Sequence, residues 1–434
     1  MYLSKVKIKN IRCFENIEID FDSISNNPDW TMIVGDNATG KTALLKSIAI
    51  GLCDVSSAAG LLRESDSGYI RHGKNIGNIF IELKDPTTSR VYKILTTLEK
   101  VAIRTSSSRT DYYERVSQKT NPNYQKFPWG KLFACAYGAG RGTSGSGDIV
   151  GYSIINAVYN LFNYSEGLQN PELMIRRFGV NSPRIKKEYF SILESILFEP
   201  IKLKKKPRVS LNQTGILIGG LWEINMPLRD IADGYKSTFL WVTDFLGWVL
   251  SFNPQISTLG DINGIVIIDE LEEHLHPKWQ KRIVGCLKKV FPHIQFITTT
   301  HSPLIASSIL KRSNRDENYR LLHLELNKNN KVKKTELSNE VSGLDIDQLL
   351  GSKIFDYVTT YDSEVAHVFE VASKLASISN RNQVQEDNYQ KLKKFIKRYI
   401  DNDGTTLIEQ IIKDERFQEI KNKVNELEKA LFEK

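Results

Sequence analysis

Eight consecutive residues near the N-terminus match the phosphate-binding pattern GxxxxGK[ST]: Gly35, Asp36, Asn37, Ala38, Thr39, Gly40, Lys41 and Thr42. In this pattern glycine geometry lets successive main-chain N–H groups point at phosphate oxygens, and the start of the next helix adds positive potential. Lys41 would then neutralise the β- and γ-phosphates, and the Thr42 hydroxyl would bind Mg²⁺. The pattern predicts a site for ATP and Mg²⁺, with a coincidental glycine-rich turn as the alternative.

A pair of carboxylates follows an apolar run much later in the chain. Residues from Gly264 to Ile268 have the branched, apolar composition of a strand that is covered on both faces, and Asp269 and Glu270 come directly after it. Ligands of open α/β sheets bind at the carboxyl ends of the strands. Asp269 is therefore predicted to hold the metal, and Glu270 to polarise the water that attacks the γ-phosphorus. A helix cap is the alternative for such a pair.

Histidines lie on either side of the next predicted strand, Gln295 to Thr299. His301 follows that strand, where it either hydrogen-bonds the γ-phosphate or is an ordinary histidine at a strand end. His274 and His276, with Glu272, are either metal ligands or parts of a structural turn. We favour the turn, because no further His or Cys lies nearby in the sequence.

Both strands and helices are needed to position these residues. The strand Trp30 to Val34 precedes the phosphate loop, and a helix from Ala43 to Gly51 follows it, so that Ala43 extends the binding segment. The polar stretch Arg104 to Asn123 is predicted to be a loop, and Gly151 to Leu197 to be helical. Further strands are predicted, with helices between the last three, which implies a parallel sheet: Tyr2 to Ile8, Ile17 to Phe21, Ile79 to Leu83, Tyr92 to Leu98, Leu132 to Tyr137, Gly215 to Trp222, Gly264 to Ile268 and Gln295 to Thr299.

Composition favours a globular, cytoplasmic protein. No run of eighteen uncharged apolar residues and no leader-like N-terminus is found, so no contact with a membrane is expected. The cysteines Cys13, Cys53, Cys135 and Cys286 lie far apart, as buried free thiols do. The net charge of +8 is weak support for a polyanionic partner. The densest basic cluster, from Lys202 to Arg208, is either a solvated linker or a nucleic-acid contact.

Taken together and in this order, the motifs resemble those of ABC-type ATPases of the RecF, Rad50, SMC and OLD group. The opening KVKIKNIRCFENIEIDF is similar to the first two strands of that group, which implies that Arg12 and Phe14 approach the nucleotide from its base and sugar side. YGAGR, from Tyr137 to Arg141, stands where the group has its Q-loop. DELEEHLHP resembles the Walker B motif and D-loop of the small prokaryotic members, and TTTHSP resembles their switch-histidine strand.

The segment IADGYKS, from Ile231 to Ser237, stands where this group has its signature motif. Ala232 replaces the usual serine, so one hydrogen bond to the γ-phosphate cannot be made by that side chain. Main-chain groups at Asp233 and Gly234, together with Lys236, are the expected phosphate contacts here. In the group the signature engages ATP held by another protomer, which implies a head-to-head dimer, or a hexamer built from such dimers.

Among these ATPases, the chain most resembles the ATPase subunits of Septu-type phage-defence systems (PtuA-like), which work with a separate HNH nuclease subunit. The ATPase subunit of PARIS-type defence, with a Toprim effector, and a RecF-like DNA-binding repair ATPase remain as alternatives. An intrinsic nuclease is not expected, because the DxD sequences at Asp345 and Asp401 follow no convincing strand. The resemblance implies an ATPase that controls a partner nuclease, with slow or regulated hydrolysis.

The predicted fold class is α/β: an ABC-ATPase-like P-loop head with a mixed or parallel sheet, a helical insertion and a helical C-terminal region. The head is divided between residues 1–150, with the phosphate loop, and residues 212–345, with the signature-like segment, Asp269 and His301. The insertion spans residues 151–211. Residues 346–434 are expected to serve oligomerisation or partner docking.

Overall fold

The protein is described here from a computed structural model. The structure describes residues 1–21, 30–65, 68–104, 110–141, 151–163, 167–179, 183–198, 207–213, 215–220, 225–231, 233–313, 319–327 and 331–337, and residues 383, 386, 387, 389 and 390. Two compact units divide the chain, Met1–Leu349 and Leu350–Lys434. The helical tail expected after residue 345 therefore lies almost wholly outside the described residues, as do Ala232 and most of the basic cluster from Lys202 to Arg208.

The first unit contains both strands and helices, numbered separately in chain order. The strands are β1 Tyr2–Ile11, β2 Phe14–Asp20, β3 Trp30–Gly35, β4 Ile76–Lys84, β5 Val91–Arg104, β6 Thr110–Asn121, β7 Ala134–Tyr137, β8 Arg208–Asn212, β9 Gly215–Gly219, β10 Met226–Pro227, β11 Gly264–Ile268, β12 Ile294–Thr299, β13 Tyr319–Leu326 and β14 Val332–Glu336. The helices are α1 Lys41–Leu52, α2 Val55–Leu62, α3 Ile154–Val158, α4 Pro171–Gly179, α5 Pro183–Phe198, α6 Asp233–Phe252, α7 Pro277–Gln280, α8 Ile283–Val290 and α9 Pro303–Ser313.

The central sheet has six strands in the order β14-β13-β3-β12-β11-β7, and all neighbours except β13 and β14 are parallel. Strands β3, β11 and β12 are buried along their whole length, which explains their continuous apolar sequences. Because these strands are parallel, the residues that follow them meet at one edge of the sheet. The phosphate loop, the Asp269–Glu270 pair and His301 come to that edge.

A second, antiparallel sheet has the order β2-β1-β4-β5-β6. Helix α1 packs against it so closely that a Cβ atom on Gly51 would overlap the side chains of Ile79 and Ile81. One apolar core contains residues from α1, from this sheet and from the central strands. The phosphate loop is thus fixed between two sheets, by β3 before it and α1 after it.

The prediction of a loop from Arg104 to Asn123 was wrong. Most of it forms β6, which pairs antiparallel with β5 from Lys93 opposite Asn121 to Arg104 opposite Thr110. Strand β6 lies at the end of its sheet, and Tyr112 and Tyr113 are exposed. An edge strand with a solvated face is polar, and its sequence was therefore mistaken for a loop.

The strand predicted near Gly215 exists, but it is not part of the parallel sheet. It is β9, the middle strand of a small antiparallel sheet with β8 and β10. The main-chain N–H of Gly215 donates to the side chain of Asn212 (3.0 Å), and the φ of +128° at Gly215 is one that glycine tolerates. This tight reversal favours the local antiparallel pairing.

The predicted helical region and the predicted free cysteines are confirmed. Helices α3, α4 and α5 occupy the region predicted to be helical, and α6 covers the apolar run after the signature-like segment. All four cysteines are free; Cys53, Cys135 and Cys286 are buried and Cys13 is half-buried. Within the described part of the chain, no helix combines the length and the apolar character that a membrane crossing requires.

Candidate functional site

The phosphate loop joins β3 to α1 and relies on two glycines. A Cβ atom on Gly35 would overlap the carbonyl oxygen of Leu324 on β13, and one on Gly40 would overlap the sulfur of Cys13. Both glycines have positive φ, +147° and +94°, as does Ala38 at +66°. Larger residues at either glycine would push the loop away from β13 or from the β1–β2 turn.

Lys41 lies inside this loop. Its ammonium Nζ donates to the carbonyl oxygens of Gly35 (2.7 Å) and Asp36 (2.8 Å), and the side chain is buried. Burial lowers the pKa of Lys41, while the carboxylates of Asp269 and Glu270 oppose that shift. Helix α1 starts at this lysine without a side-chain cap and without an acidic residue in its first turn. The positive end of α1 and the lysine therefore face the same loop.

The loop meets the end of β11 through one short contact. The Thr42 hydroxyl donates to one carboxylate oxygen of Asp269 (2.6 Å), and the Thr299 hydroxyl at the end of β12 donates to the other. Asp269 is 2% exposed. A hydroxyl and a carboxylate in contact are oxygen donors of the kind that Mg²⁺ prefers. The two residues assigned to the metal from sequence thus lie side by side.

Glu270 adopts an unusual main-chain conformation. Its φ is +48°, in the left-handed region, and its N–H donates to the Thr299 hydroxyl (2.8 Å). The side chain is half-buried, next to Asp269. Left-handed residues other than glycine cost about 1–2 kcal/mol, so the surrounding contacts must hold this turn in place.

Arg141 supplies such contacts, and sequence reasoning gave it no role. It is 1% exposed, and its guanidinium donates to three successive carbonyl oxygens, those of Asp269 (2.7 Å), Glu270 (2.8 Å) and Leu271 (3.0 Å). Burial lowers the pKa of Arg141, and four carboxylates of the segment 269–273 oppose that shift. The signal available in the sequence was the arginine that ends YGAGR after an apolar strand.

The residues after β12 are held by Glu272. The Thr300 hydroxyl donates to one of its carboxylate oxygens (2.6 Å), and the His301 N–H donates to the other. Thr300 N–H also donates to the Ile33 carbonyl oxygen on β3 (3.1 Å). His301 is therefore placed at the same sheet edge as the loop, with its main chain fixed and its side chain half-buried.

In the turn before α7, the polar side chains of His274 and His276 contact neighbouring residues of the same segment. His276 caps α7 by accepting from the Lys278 N–H through Nδ1 (3.2 Å), and His274 Nε2 lies 3.5 Å from a Glu273 carboxylate oxygen. Among the described residues no group of three or more His, Cys, Asp or Glu side chains is arranged to hold a metal ion.

Arg12 lies in the turn between β1 and β2 and Phe14 begins β2, and this part of the chain packs on the phosphate loop at Gly40. The Arg12 guanidinium lies over the Tyr69 ring, 4.6 Å from its centre. Phe14 is 1% exposed, so in this structure its ring supports the loop from the protein interior. The two residues therefore have different surroundings. Phe14 packs behind the phosphate loop, and Arg12 stacks on the ring of Tyr69.

The signature-like segment opens α6, and its described part lies against the turn before α7. A Cβ atom on Gly234 would come 2.6 Å from the carbonyl oxygen of His274. A cavity of about 550 Å³ adjoins this contact, lined by Gly234, Tyr235, His274, Leu275, His276, Lys278 and Trp279. Lys236 lies in the same first turn of α6, and the main chain of Asp233 starts the helix.

A buried carboxylate lies in the middle of α6. Asp244 accepts from the Tyr137 hydroxyl (2.8 Å) and from the Gln169 N–H (3.0 Å). Burial raises the pKa of Asp244 to about 6. The folded protein therefore binds this proton more tightly than the unfolded chain, and stability falls as the pH rises from about 4 to about 6.

We expect Asp244→Asn, which mimics the protonated acid, to raise the thermal midpoint by about 2–5 °C at pH 8. The gain should shrink as the pH falls towards 4, where wild-type Asp244 is itself protonated. Thermal unfolding between pH 4 and pH 8 measures this, with Asp261→Asn, at an exposed position, as control. An equal midpoint for wild type and Asp244→Asn across that range would contradict the assignment.

Two protein-family models match parts of this chain. One, described as an AAA domain, matches residues 5–132, which include the phosphate loop. The other, described as an AAA domain, putative AbiEii toxin, Type IV TA system, matches residues 223–307, which include Asp269 and Glu270. Both halves of the site are therefore similar to known AAA domains.

Among curated proteins, the Septu protein PtuA of Bacillus mycoides (strain KBAB4) is 27% identical over 413 residues, which are 94% of this chain and 52% of that protein. The Retron Vc95 probable ATPase of Vibrio cholerae serotype O1 biovar El Tor is 31% identical over 157 residues, 36% of this chain and 28% of that protein. The chain thus spans about half the length of the first relative. The resemblance to Septu ATPase subunits inferred from the motifs is confirmed.

Among solved structures, the SMC head domain from Thermotoga maritima covers 77% of this chain and 99% of its own, with 14% identity and a TM-score of 0.44. The α/β class expected from the sequence is confirmed, because the first unit combines helices with a mixed central sheet. Its central sheet places the phosphate loop after β3 and the carboxylate pair after β11, two strands away, with β12 between them.

Proposed function

We propose that this chain is the ATP-binding and ATP-hydrolysing regulatory subunit of a prokaryotic antiphage defence system, in which it controls a separate nuclease subunit. The observation that supports the ATPase part most strongly is the contact between Thr42 and Asp269 at the mouth of a loop that contains Lys41. The similarity to Septu protein PtuA over 94% of the chain supports the defence role.

ATP would bind along the phosphate loop. Main-chain N–H groups of this loop would face the triphosphate, and the Lys41 ammonium would exchange the two loop carbonyl oxygens for β- and γ-phosphate oxygens. Thr42 and Asp269 would hold Mg²⁺, which neutralises phosphate charge when bound. The donor set fits this cation because a hydroxyl and a buried carboxylate already touch.

Hydrolysis needs a base and a donor near the γ-phosphate. Glu270 accepts a proton from the attacking water, because its carboxylate follows the metal-holding residue at the sheet edge. His301, fixed at the end of β12, donates a hydrogen bond to the γ-phosphate. Arg12, on the turn that packs against Gly40, contributes to the base and sugar side with Phe14 behind the loop.

Two such heads would enclose ATP between them. Asp233, Gly234 and Lys236 at the start of α6 would contact the triphosphate of the opposite protomer, through main-chain N–H groups and an ammonium. Because each γ-phosphate would then bridge two subunits, hydrolysis weakens the closed dimer. ATP turnover in this cytoplasmic protein would thereby time a conformational signal to an HNH-type nuclease.

The partner is tested by co-expression with a nuclease encoded beside this gene. The two chains should co-elute in size-exclusion chromatography, and millimolar ATP with Mg²⁺ should change the rate of nucleic-acid cleavage about tenfold. If the chain hydrolyses ATP but the nuclease elutes alone and cleaves at one rate with or without ATP, the regulatory role is wrong.

A further inference from the structure

We propose that Arg141 is a positioning residue that holds Glu270 in its working conformation, and that Tyr137 connects this arginine to α6. The inference rests on the proposed ATPase function and assigns residues to its control. Arg141 touches neither phosphate nor metal in this proposal. It acts on the main chain that presents the two carboxylates.

The guanidinium forms a fork that matches the turn after β11. Nη1 donates to the carbonyl oxygens of Asp269 (2.7 Å) and Gly138 (3.3 Å), and Nη2 donates to those of Glu270 (2.8 Å) and Leu271 (3.0 Å). Three successive carbonyl groups can share one donor only if the chain leaves the extended conformation. Arginine suits this task because its five N–H groups lie in one plane, whereas a lysine ammonium is a point donor.

Glu270 is the residue that depends most on this fork. Its left-handed φ of +48° is unfavourable, and its own carbonyl oxygen is one of the three that Arg141 binds. Asp269 is better secured, because Thr42 and Thr299 also hold its carboxylate. Loss of the fork should therefore displace the Glu270 carboxylate more than the Asp269 carboxylate.

Burying the Arg141 guanidinium costs desolvation free energy. Its side chain is 1% exposed, and its Nε is buried without a hydrogen-bond partner among the described residues. Charges withdrawn from water carry a desolvation cost that a purely structural contact seldom recovers. Nearby carboxylates offset the cost, with Glu273 contributing most. The buried charge of Arg141 is thus held directly against the acidic turn of residues 269–273.

Tyr137 connects Arg141 to the signature-like helix. Tyr137 ends β7, its carbonyl oxygen accepts from the Asp269 N–H (2.8 Å), and its hydroxyl donates to Asp244 in the middle of α6 (2.8 Å). The next residue, Gly138, donates its N–H to Asn160 (3.1 Å) and also accepts from Arg141. Hydrogen bonds, joined by the peptide bond between Tyr137 and Gly138, therefore connect α6 through residues 137–141 to Glu270. A shift of α6 would reach the water-activating carboxylate by this route.

The test compares ATP affinity with turnover in Arg141→Lys, which keeps the charge and removes the fork. We expect the dissociation constant for ATP with Mg²⁺, measured by calorimetry, to stay within about threefold of wild type, while phosphate release slows about thirtyfold. Arg115→Lys is the matched control, because Arg115 is exposed and its guanidinium pairs with the partly exposed Glu99. A general loss of structure would lower affinity and turnover together.

Tyr137→Phe provides an independent test if Arg141→Lys does not fold. It removes one hydroxyl and should slow turnover about three- to tenfold without a change in ATP affinity. A folded Arg141→Lys, or Tyr137→Phe in its place, that turns over ATP at the wild-type rate would overturn the inference. Failure of wild type itself to bind ATP would instead contradict the proposed function.

Discussion

Replacing Lys41 by alanine should abolish ATP binding at ordinary concentrations, with an affinity loss of about 100-fold or more. That factor corresponds to about 3 kcal/mol, which is the size expected when charge-assisted hydrogen bonds to two phosphates are removed. The buried ammonium already lies between the carbonyl oxygens of Gly35 and Asp36, so alanine also leaves those oxygens without their donor. The phosphate loop should lose both the positive charge of Lys41 and the two hydrogen bonds that this side chain donates within the loop.

Calorimetric titration with ATP and Mg²⁺ measures this change. Lys119→Ala removes an equally charged side chain from the exposed face of β6 and should bind ATP as wild type does. Thermal unfolding of the variant without nucleotide shows whether the fold survives. Near-normal ATP affinity in a folded Lys41→Ala protein would mean that residues 35–42 are not the phosphate site.

Glu270→Gln should retain ATP but slow its hydrolysis about 100-fold or more, which is the range for loss of a general base. The amide has nearly the shape of the carboxylate, and the main-chain bonds to Arg141 and Thr299 remain available. Since Asp269 and Thr42 are unchanged, metal and nucleotide should still bind. The variant should therefore accumulate the ATP-bound dimer.

Phosphate release under saturating ATP gives the rate, and light scattering after size-exclusion chromatography gives the mass of the ATP-bound species. Glu99→Gln on β5 provides a matched control, because its ion pair with Arg115 is solvent-exposed and should matter little. Hydrolysis at the wild-type rate by Glu270→Gln would show that another residue positions the water.

Local sequence was sufficient to predict the strands and turns on which the site depends. The apolar runs before Gly35 and Asp269 define buried strands, and their parallel arrangement brings Thr42 to Asp269. These features follow from residue type and short spacing. Their roles in binding and hydrolysis remain predictions until the variants above are measured.

Other features depend on partners that lie far away in the sequence. Arg141 binds carbonyl oxygens 128 to 130 residues further on, so nothing in YGAGR alone indicates what it holds. Strand β13 was not predicted, although it pairs with β3 and its Leu324 carbonyl oxygen makes glycine necessary at position 35. The polar sequence of β6 hides its pairing with β5. Tertiary pairing, rather than local preference, decides each of these.

The separation between Thr42 and Asp269, 227 residues along the chain, also affects when the protein becomes active during synthesis. At about 5–20 residues per second, a ribosome needs about 10–45 s to make the intervening residues. Throughout that time the nascent chain has a phosphate loop without the acid and histidine that complete it. The proposed hydrolysis therefore cannot begin until the ribosome has passed His301.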